Sequence, residues 1–180
     1  MSIEKIVITG GPSTGKTSII EKIEKKGFHC FNEISRQITL EARKEGIPQL
    51  FVSDPLLFSE RIIEGRIKQF KASENMDKPL VFFDRGIPDV VAYMDCFGQT
   101  YGQHFVESCT LHKYDHVFLL PPWQEIHVSD NERYENFEQA VRIHSYLERA
   151  YKEYGYNIID VPKETVEGRV TFILNKIKNL

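Results

Sequence analysis

The sequence predicts an α/β fold in which five parallel strands form one sheet with helices on both faces. Short apolar runs alternate along the chain with longer stretches of helical spacing, which is typical of repeated strand-helix units. Residues 80–83 and 117–120 are continuously apolar, as expected for parallel strands that are buried on both faces. A glycine-rich run at 10–17 separates the first strand from the first helix, which indicates a three-layer P-loop NTPase.

The individual elements follow from local patterns. Residues 6–8 form a β-branched strand signal, and Ile19, Ile20 and Ile23 recur at helical spacing. The segment 136–154 has the clearest apolar helix face, and Gly155 is placed to end that helix. The predicted strands are 3–9, 28–31, 80–84, 116–120 and 157–161. The predicted helices are 18–26, 33–44, 55–72, 88–97, 136–154 and 164–178.

Residues 10–17 read Gly-Gly-Pro-Ser-Thr-Gly-Lys-Thr and match the phosphate-binding loop pattern at every fixed position. Glycines let the backbone curl closely, so that several N–H groups point at one anion. We expect Lys16 to reach the β- and γ-phosphates and the Thr17 hydroxyl to bind Mg²⁺. The alternative is a glycine-rich turn before an ordinary amphipathic helix. The predicted nucleotide-binding residues are Gly10, Gly11, Pro12, Ser13, Thr14, Gly15, Lys16, Thr17 and Ser18.

Length and composition limit the class of protein. The 180 residues, 41% of them hydrophobic, are enough for one core, so we expect a single domain over 1–180. A net charge of −3 without a basic stripe argues against a nucleic-acid partner. The absence of a leader pattern and of a long apolar run predicts a cytoplasmic protein without a membrane span. Cys30, Cys96 and Cys109 lack metal-ligand spacing and are expected to be buried thiols.

The predicted strand 80–84 ends in a carboxylate that an arginine follows. Ligands of open α/β sheets bind where parallel strands end, so Asp84 should lie near the phosphate loop. We interpret Asp84 as a second anchor for Mg²⁺, acting through water, with helix capping nearby as the alternative. Arg85 is a candidate to bind a phosphate or an acidic substrate group, and a surface ion pair is the alternative.

A second charged strand end follows 28–31. Glu33 is a candidate general base, because a hydroxyl acceptor must lose a proton when it is phosphorylated. Arg36 lies one turn further on, where it could pair with Glu33 or bind an anionic substrate group. A surface ion pair of little energetic importance explains the same residues almost equally well.

The segment of about 121–135 is polar, begins with two prolines and is long for a strand-to-helix connection, which suggests a lid. A lid excludes water and delivers charge to the transferred group, and Arg133 is the candidate lid arginine. The alternative is that Ser129 and Glu132 form a capping box that opens the long helix. Trp123 is interpreted as a packing residue and not as a platform for a base.

These motifs together resemble the branch of predicted small P-loop ATPases, of the AAA type, that includes nicotinamide-riboside kinase-like domains. The resemblance spans most of the chain and is carried by the P-loop, 33–36, 83–89, 120–123 and 130–135. The Asp84-Arg85 step also looks like the Asp-Arg motif of thymidylate and deoxynucleoside kinases, in which the arginine contacts the substrate or its phosphates. That similarity implies a nucleoside/nucleotide kinase sheet with strand order 2-3-1-4-5.

The sequence therefore predicts an ATP- and Mg²⁺-dependent kinase for a small nucleoside-like, hydroxyl-bearing or phosphorylated metabolite. Lys16, Glu33, Asp84, Arg85 and Arg133 are the expected catalytic residues, and Glu33, Arg36 and Arg85 the expected substrate contacts. The absence of an Asn-Lys-x-Asp run after 116–120 favours ATP, with GTP left open. The alternative function is a nucleotide-dependent switch, an ATPase or GTPase that recruits a partner or a phosphoinositide. Phe51, Leu56, Leu57 and Phe58 could form a homodimer face or belong to the core.

Overall fold

The sheet of this computed structural model is five-stranded and entirely parallel, with the order β2-β3-β1-β4-β5. The structure describes residues 3–127 and 136–179. The strands are β1 (Glu4–Gly10), β2 (His29–Phe31), β3 (Leu80–Asp84), β4 (His116–Leu120) and β5 (Ile158–Asp160). The order places β1 between β3 and β4, where the direction of strand addition reverses. Both the predicted fold class and the predicted strand order are confirmed.

Eight α-helices lie in the described part of the chain. They are α1 (Lys16–Lys25), α2 (Ser35–Lys44), α3 (Leu50–Ser53), α4 (Pro55–Ser73), α5 (Pro88–Cys96), α6 (Gln103–Leu111), α7 (Phe137–Glu153) and α8 (Val166–Lys178). A short 3-10 helix occupies Gln124–Ile126. The sequence does not predict α3, α6 or the 3-10 helix. Each buries few residues: α3 buries Leu50, and α6 buries Phe105 and Cys109.

Alternate residues of the strands build two separate cores, one on each face of the sheet. On one face, Ile6 and Ile8 pack with the isoleucines of α1 and with the apolar side of α8. On the other face, Val7 and Phe83 pack with residues from α2, α4, α5, α6 and α7. The predicted buried thiols are confirmed, because Cys30, Cys96 and Cys109 are all free and buried.

The N-terminus of α7 is closed by a capping box. Asn136 is the N-cap: its side chain accepts from the Gln139 N–H at 2.9 Å, and the Gln139 side chain accepts from the Asn136 N–H at 2.9 Å. This pair is the capping box of the long helix. Ser129 and Glu132, which the sequence offered as an alternative capping box, lie outside the described ranges.

The candidate dimer face divides between core and surface. Leu57 and Phe58 are partly buried against the larger core. Phe51 and Leu56 are exposed by 41% and 43%. Among the described residues, no helix is both long enough and apolar enough to cross a membrane.

Candidate functional site

The phosphate-binding loop joins β1 to α1 and requires glycine at two positions, 10 and 15. Gly15 has φ of 85° and caps α1, a left-handed conformation that favours a residue without Cβ. A Cβ on Gly10 would lie 2.8 Å from the Leu120 carbonyl oxygen, inside van der Waals contact. The predicted strand-loop-helix context is present, with the first N–H groups of α1 at the loop.

Lys16 is buried inside this loop. Its Nζ donates to the carbonyl oxygens of Gly10 and Gly11, both at 2.8 Å. Burial, assisted by the charge of Arg85, lowers the pKa of Lys16 from 10.5 to about 7, although Asp84 and nearby carboxylates act in the opposite direction. Negative charge added beside Nζ would raise this pKa and favour the protonated form of Lys16.

Asp84 is the last residue of β3 and pairs in register with Ile8, so it lies beside the strand that carries the phosphate loop. The side chain is buried, and its Oδ1 has no hydrogen-bond partner. Burial raises the pKa of Asp84. A buried carboxylate oxygen without a donor is costly, and a hydrated Mg²⁺ would satisfy it. Thr17, the other predicted metal residue, lies exposed in the first turn of α1.

Glu33 stands just after β2 and is held by two arginines. Its Oε2 lies 2.5 Å from Arg85 Nε, and its Oε1 lies 3.4 Å from Arg66 Nη2. Oε1 also accepts from the N–H groups of Ile34 and Ser35. Burial alone would raise the pKa of Glu33, but Arg66, Arg85 and the Ser35 N–H lower it to about 2. Glu33 is therefore ionised at neutral pH.

Arg85 connects the two halves of the site. Its Nη1 lies 3.3 Å from the Gly10 carbonyl oxygen in the phosphate loop, while its Nε contacts Glu33. Its guanidinium lies over the Tyr93 ring, 5.3 Å from the centroid. The backbone has φ of 74°, a left-handed conformation that is unusual for a residue with a side chain. Such outliers often occur at functional sites.

Asp89 fixes the turn that carries Arg85. Its Oδ2 accepts from the Gly86 N–H at 2.9 Å and from the Tyr151 hydroxyl at 2.5 Å. Its Oδ1 accepts from the Thr9 hydroxyl at 2.6 Å and lies 3.4 Å from Arg85 Nη1. The side chain is 1% exposed. The Asp89 carboxylate therefore links β1, the turn that follows β3, and α7.

The structure brings together four of the predicted residues, namely Lys16, Glu33, Asp84 and Arg85, whose charges act on one another. Arg36 lies exposed in the first turn of α2, and the arginine partners of Glu33 are Arg66 and Arg85 instead. The described part of the predicted lid comprises residues 121–127. Arg133 lies outside the described residues.

Sequence reasoning missed Arg66, Asp89 and Arg169. Arg66 donates to the Gly86 carbonyl oxygen at 2.6 Å, and Arg169 donates to the Thr14 carbonyl oxygen at 2.7 Å. Both arginines are only 5% exposed. The available signal was a cation on the apolar face of a helix: Arg66 shares its face with Ile62, Ile63 and Phe70, and Arg169 shares its face with Val170, Ile173 and Ile177.

A family described as AAA domains matches residues 5–169, which is most of the chain. The chain belongs to this family. The predicted resemblance to small AAA-type P-loop proteins is thereby confirmed. No curated protein sequence matches the chain significantly.

Similar solved structures share the fold of this AAA domain. A deoxyadenosine kinase from M. mycoides with dCMP and dCDP bound is 20% identical, with a TM-score of 0.71, and the match covers 98% of this chain and 100% of that chain. A NadR protein in complex with NR is 16% identical, with a TM-score of 0.74, over 98% of this chain and 50% of that chain. Thymidylate kinase from Candida albicans is 17% identical, with a TM-score of 0.69, over 99% and 92%. At these identities the similarity shows a P-loop kinase fold.

Proposed function

We propose that this protein transfers the γ-phosphoryl group of Mg²⁺-ATP to a hydroxyl of a small, nucleoside-like acceptor. The observation that carries the proposal is the double contact of Arg85, which reaches the phosphate loop at Gly10 and the carboxylate of Glu33 at the neighbouring strand end. The Arg85 guanidinium thus links the phosphate-donor site to Glu33, a carboxylate suited to a hydroxyl acceptor. Phosphoryl transfer depends mainly on such positioning and on charge stabilisation.

In this proposal the donor occupies the loop of 10–18. The backbone N–H groups and Lys16 bind the phosphates, and Thr17 and Asp84 hold Mg²⁺, with Asp84 acting through water. The unpartnered Oδ1 of Asp84 supports the metal role. When bound, Mg²⁺ supplies neutralising charge for the phosphate oxygens.

Glu33 is the proposed residue that orients the acceptor hydroxyl and receives its proton. The ionised carboxylate of Glu33 can accept a hydrogen bond from the acceptor hydroxyl. Because the pKa of Glu33 is low, the hydroxyl transfers its proton to Glu33 late, in a loose transition state. Arg85 neutralises the transferred group. Arg36, and Arg133 on a lid of about 121–135, are further proposed contacts with anionic groups.

The proposal of a nucleoside-like acceptor is supported by the kinds of protein that share the fold. The similar structures include a deoxyadenosine kinase and a protein in complex with NR. Phe31 ends β2 two residues before Glu33, is partly exposed, and stacks on the buried Phe83 of β3 with ring centroids 5.1 Å apart. A planar, partly apolar acceptor fits such surroundings.

A transfer assay tests the proposal. Purified protein is incubated with γ-³²P-labelled ATP and Mg²⁺ together with nucleosides, nucleoside monophosphates or other hydroxyl-bearing metabolites, and products are separated from free phosphate. We expect a labelled acceptor to appear faster than free phosphate. Release of free phosphate alone with every acceptor would contradict the kinase and would favour the nucleotide-dependent switch. That alternative requires a partner or phosphoinositide vesicle whose affinity differs between the ATP and ADP forms.

A further inference from the structure

Arg169 of the C-terminal helix lies directly against the phosphate loop. Its Nη1 donates to the Thr14 carbonyl oxygen at 2.7 Å. A Cβ on Gly15 would lie 2.9 Å from Nη2 and 3.1 Å from Nη1, so the guanidinium occupies the space that a side chain at position 15 would need. The indole of Trp123, 5.6 Å from the guanidinium carbon, covers it from a third element.

Helix packing brings this residue to the loop. Helix α8 buries Val170, Ile173 and Ile177 against the isoleucines of α1. Glu167, one turn before the buried face, pairs with Lys22 and Lys26 at 2.8 and 3.0 Å. These contacts fix the rotation of α8 about its axis. Arg169 therefore projects toward the start of α1, where the phosphate loop ends.

The charge of Arg169 has no carboxylate partner within 3–127 and 136–179. Its side chain is buried, its Nε has no hydrogen-bond partner, and burial lowers its pKa. An unpaired buried cation destabilises a protein unless another group offsets its charge. The nearest place for an added anion is the phosphate loop itself, on whose outer side the guanidinium rests.

The hydrogen bond to Thr14 also orients a donor. In a planar trans peptide the C=O and the following N–H point in opposite directions. Arg169 holds the Thr14 carbonyl oxygen on the outside of the loop, so the Gly15 N–H points to the inside, where the phosphates of a nucleotide bind. The cation further polarises this peptide and strengthens its N–H as a donor.

We propose that Arg169 is a positioning residue for triphosphate binding, which orients the Thr14–Gly15 peptide and supplies a buried positive charge that the phosphates offset. Trp123 holds the guanidinium against Gly15 from the other side. This inference rests on the nucleotide site of the proposed function and does not depend on the acceptor.

Calorimetric binding of Mg²⁺-ATP and of inorganic tripolyphosphate tests the proposal on the full chain. We expect Arg169→Met to raise the Kd of both ligands at least about tenfold, the loss expected for one charge-assisted hydrogen bond. Arg169→Lys keeps the charge and one donor and should recover most of the affinity. Lys176→Met removes an exposed cation from the same helix and is the matched control, with unchanged Kd.

Thermal unfolding separates positioning from a merely structural role. We expect the increase in Tm produced by Mg²⁺-ATP to shrink in Arg169→Met, with the logarithm of the lost affinity. Wild-type Kd values in a destabilised Arg169→Met protein would overturn the proposal. A loss for ATP without a loss for tripolyphosphate would also overturn it, because Arg169 would then serve the nucleoside and not the phosphates. Failure of the wild type to bind either ligand would instead refute the nucleotide site of the proposed function.

Discussion

Arg85, the residue that follows β3, has a left-handed backbone conformation that the surrounding contacts must stabilise. A left-handed residue with a side chain costs about 1 to 3 kcal/mol, which the surroundings must offset. The Arg85 N–H donates to the Ile8 carbonyl oxygen at 3.0 Å, while Asp89 and Arg66 hold the N–H and the carbonyl oxygen of Gly86. A Cβ on Gly86 would lie 2.5 Å from the Tyr151 hydroxyl, so the next residue must be glycine. The turn is thereby fixed on both sides of Arg85.

Glu33→Gln is the sharpest test of an individual side chain. We expect phosphoryl transfer to fall at least about 100-fold, since the amide cannot accept the proton of a hydroxyl. The Kd of Mg²⁺-ATP should change by less than about threefold, because Glu33 stands at the acceptor side and not in the loop. Steady-state transfer and calorimetry measure the two quantities.

The control for this substitution is Glu45→Gln, which removes another glutamate from an arginine pair. Glu45 Oε2 lies 2.7 Å from Arg61 Nη2 on the surface, away from the strand ends. Its loss should leave both the transfer rate and the Kd unchanged. Transfer by Glu33→Gln at the wild-type rate would remove the proposed role of Glu33 in proton transfer.

The residues that could be predicted from the sequence are those whose place follows from topology. Asp84 ends β3 and Glu33 follows β2 by two residues, and the carboxyl ends of all strands in a parallel sheet meet at one edge. Arg66 and Arg169 lie within helices, and what they reach depends on the rotation and packing of α4 and α8. Sequence periodicity shows that each lies on a buried face but does not identify the loop against which that face rests.

At the scale of elements, the contact between α5 and α7 depends on Asp89 and Tyr151. We expect Tyr151→Phe to lower the free energy of unfolding by about 1 to 2 kcal/mol, because Asp89 Oδ2 loses one of its two donors. Asp89→Asn should cost about 2 to 4 kcal/mol, since it replaces one acceptor oxygen by an NH₂ donor among groups that donate, and leaves Arg85 less compensated. Urea denaturation measures both.

Tyr146→Phe is the matched control on the same helix. Tyr146 lies on the side of α7 that faces Arg142 and Arg149, away from Asp89. Its free energy of unfolding should stay within about 0.5 kcal/mol of the wild type. An equal effect of Tyr146→Phe and Tyr151→Phe would show that the hydrogen bond to Asp89 contributes nothing specific.

The start of α7 can be tested in the same way. Asn136→Ala removes the side chain that accepts from the Gln139 N–H and should destabilise the protein by about 1 kcal/mol, whereas Asn136→Asp should retain most of the stability. If the helix began further upstream, alanine at 136 would be an interior substitution and would not destabilise it. Urea denaturation of the two variants distinguishes these cases.

Across the whole molecule, the phosphate loop is the place where distant parts of the chain meet. The loop follows the first strand, Arg169 of the last helix rests on it, and the Ala140 carbonyl oxygen of α7 would lie 3.2 Å from a Cβ on Gly11. Both faces of the sheet therefore contribute to its shape. Ligand binding to such a loop should stabilise the entire domain and not the loop alone.

We expect nucleotide binding to change the protonation state of Lys16. The pKa of Lys16 is about 7, so at pH 8 about nine-tenths of the molecules carry a neutral lysine. Phosphates placed beside Nζ add negative charge, which favours the charged form and raises this pKa. Binding of Mg²⁺-ATP at pH 8 should therefore take up close to about one proton, and binding at pH 6, where Lys16 is already charged, should take up few.

Calorimetry in buffers of different ionisation enthalpy measures this uptake as the slope of the observed enthalpy. Lys16→Arg is the matched variant, because a guanidinium stays protonated throughout this pH range and should bind without uptake at either pH. Equal uptake at pH 8 by the wild type and Lys16→Arg would assign the proton to another group. No uptake by the wild type would mean that Lys16 is already charged in the nucleotide-free protein, where its Nζ donates to the carbonyl oxygens of Gly10 and Gly11. The burial of this charge beside Arg85 would then lower the stability of the nucleotide-free protein.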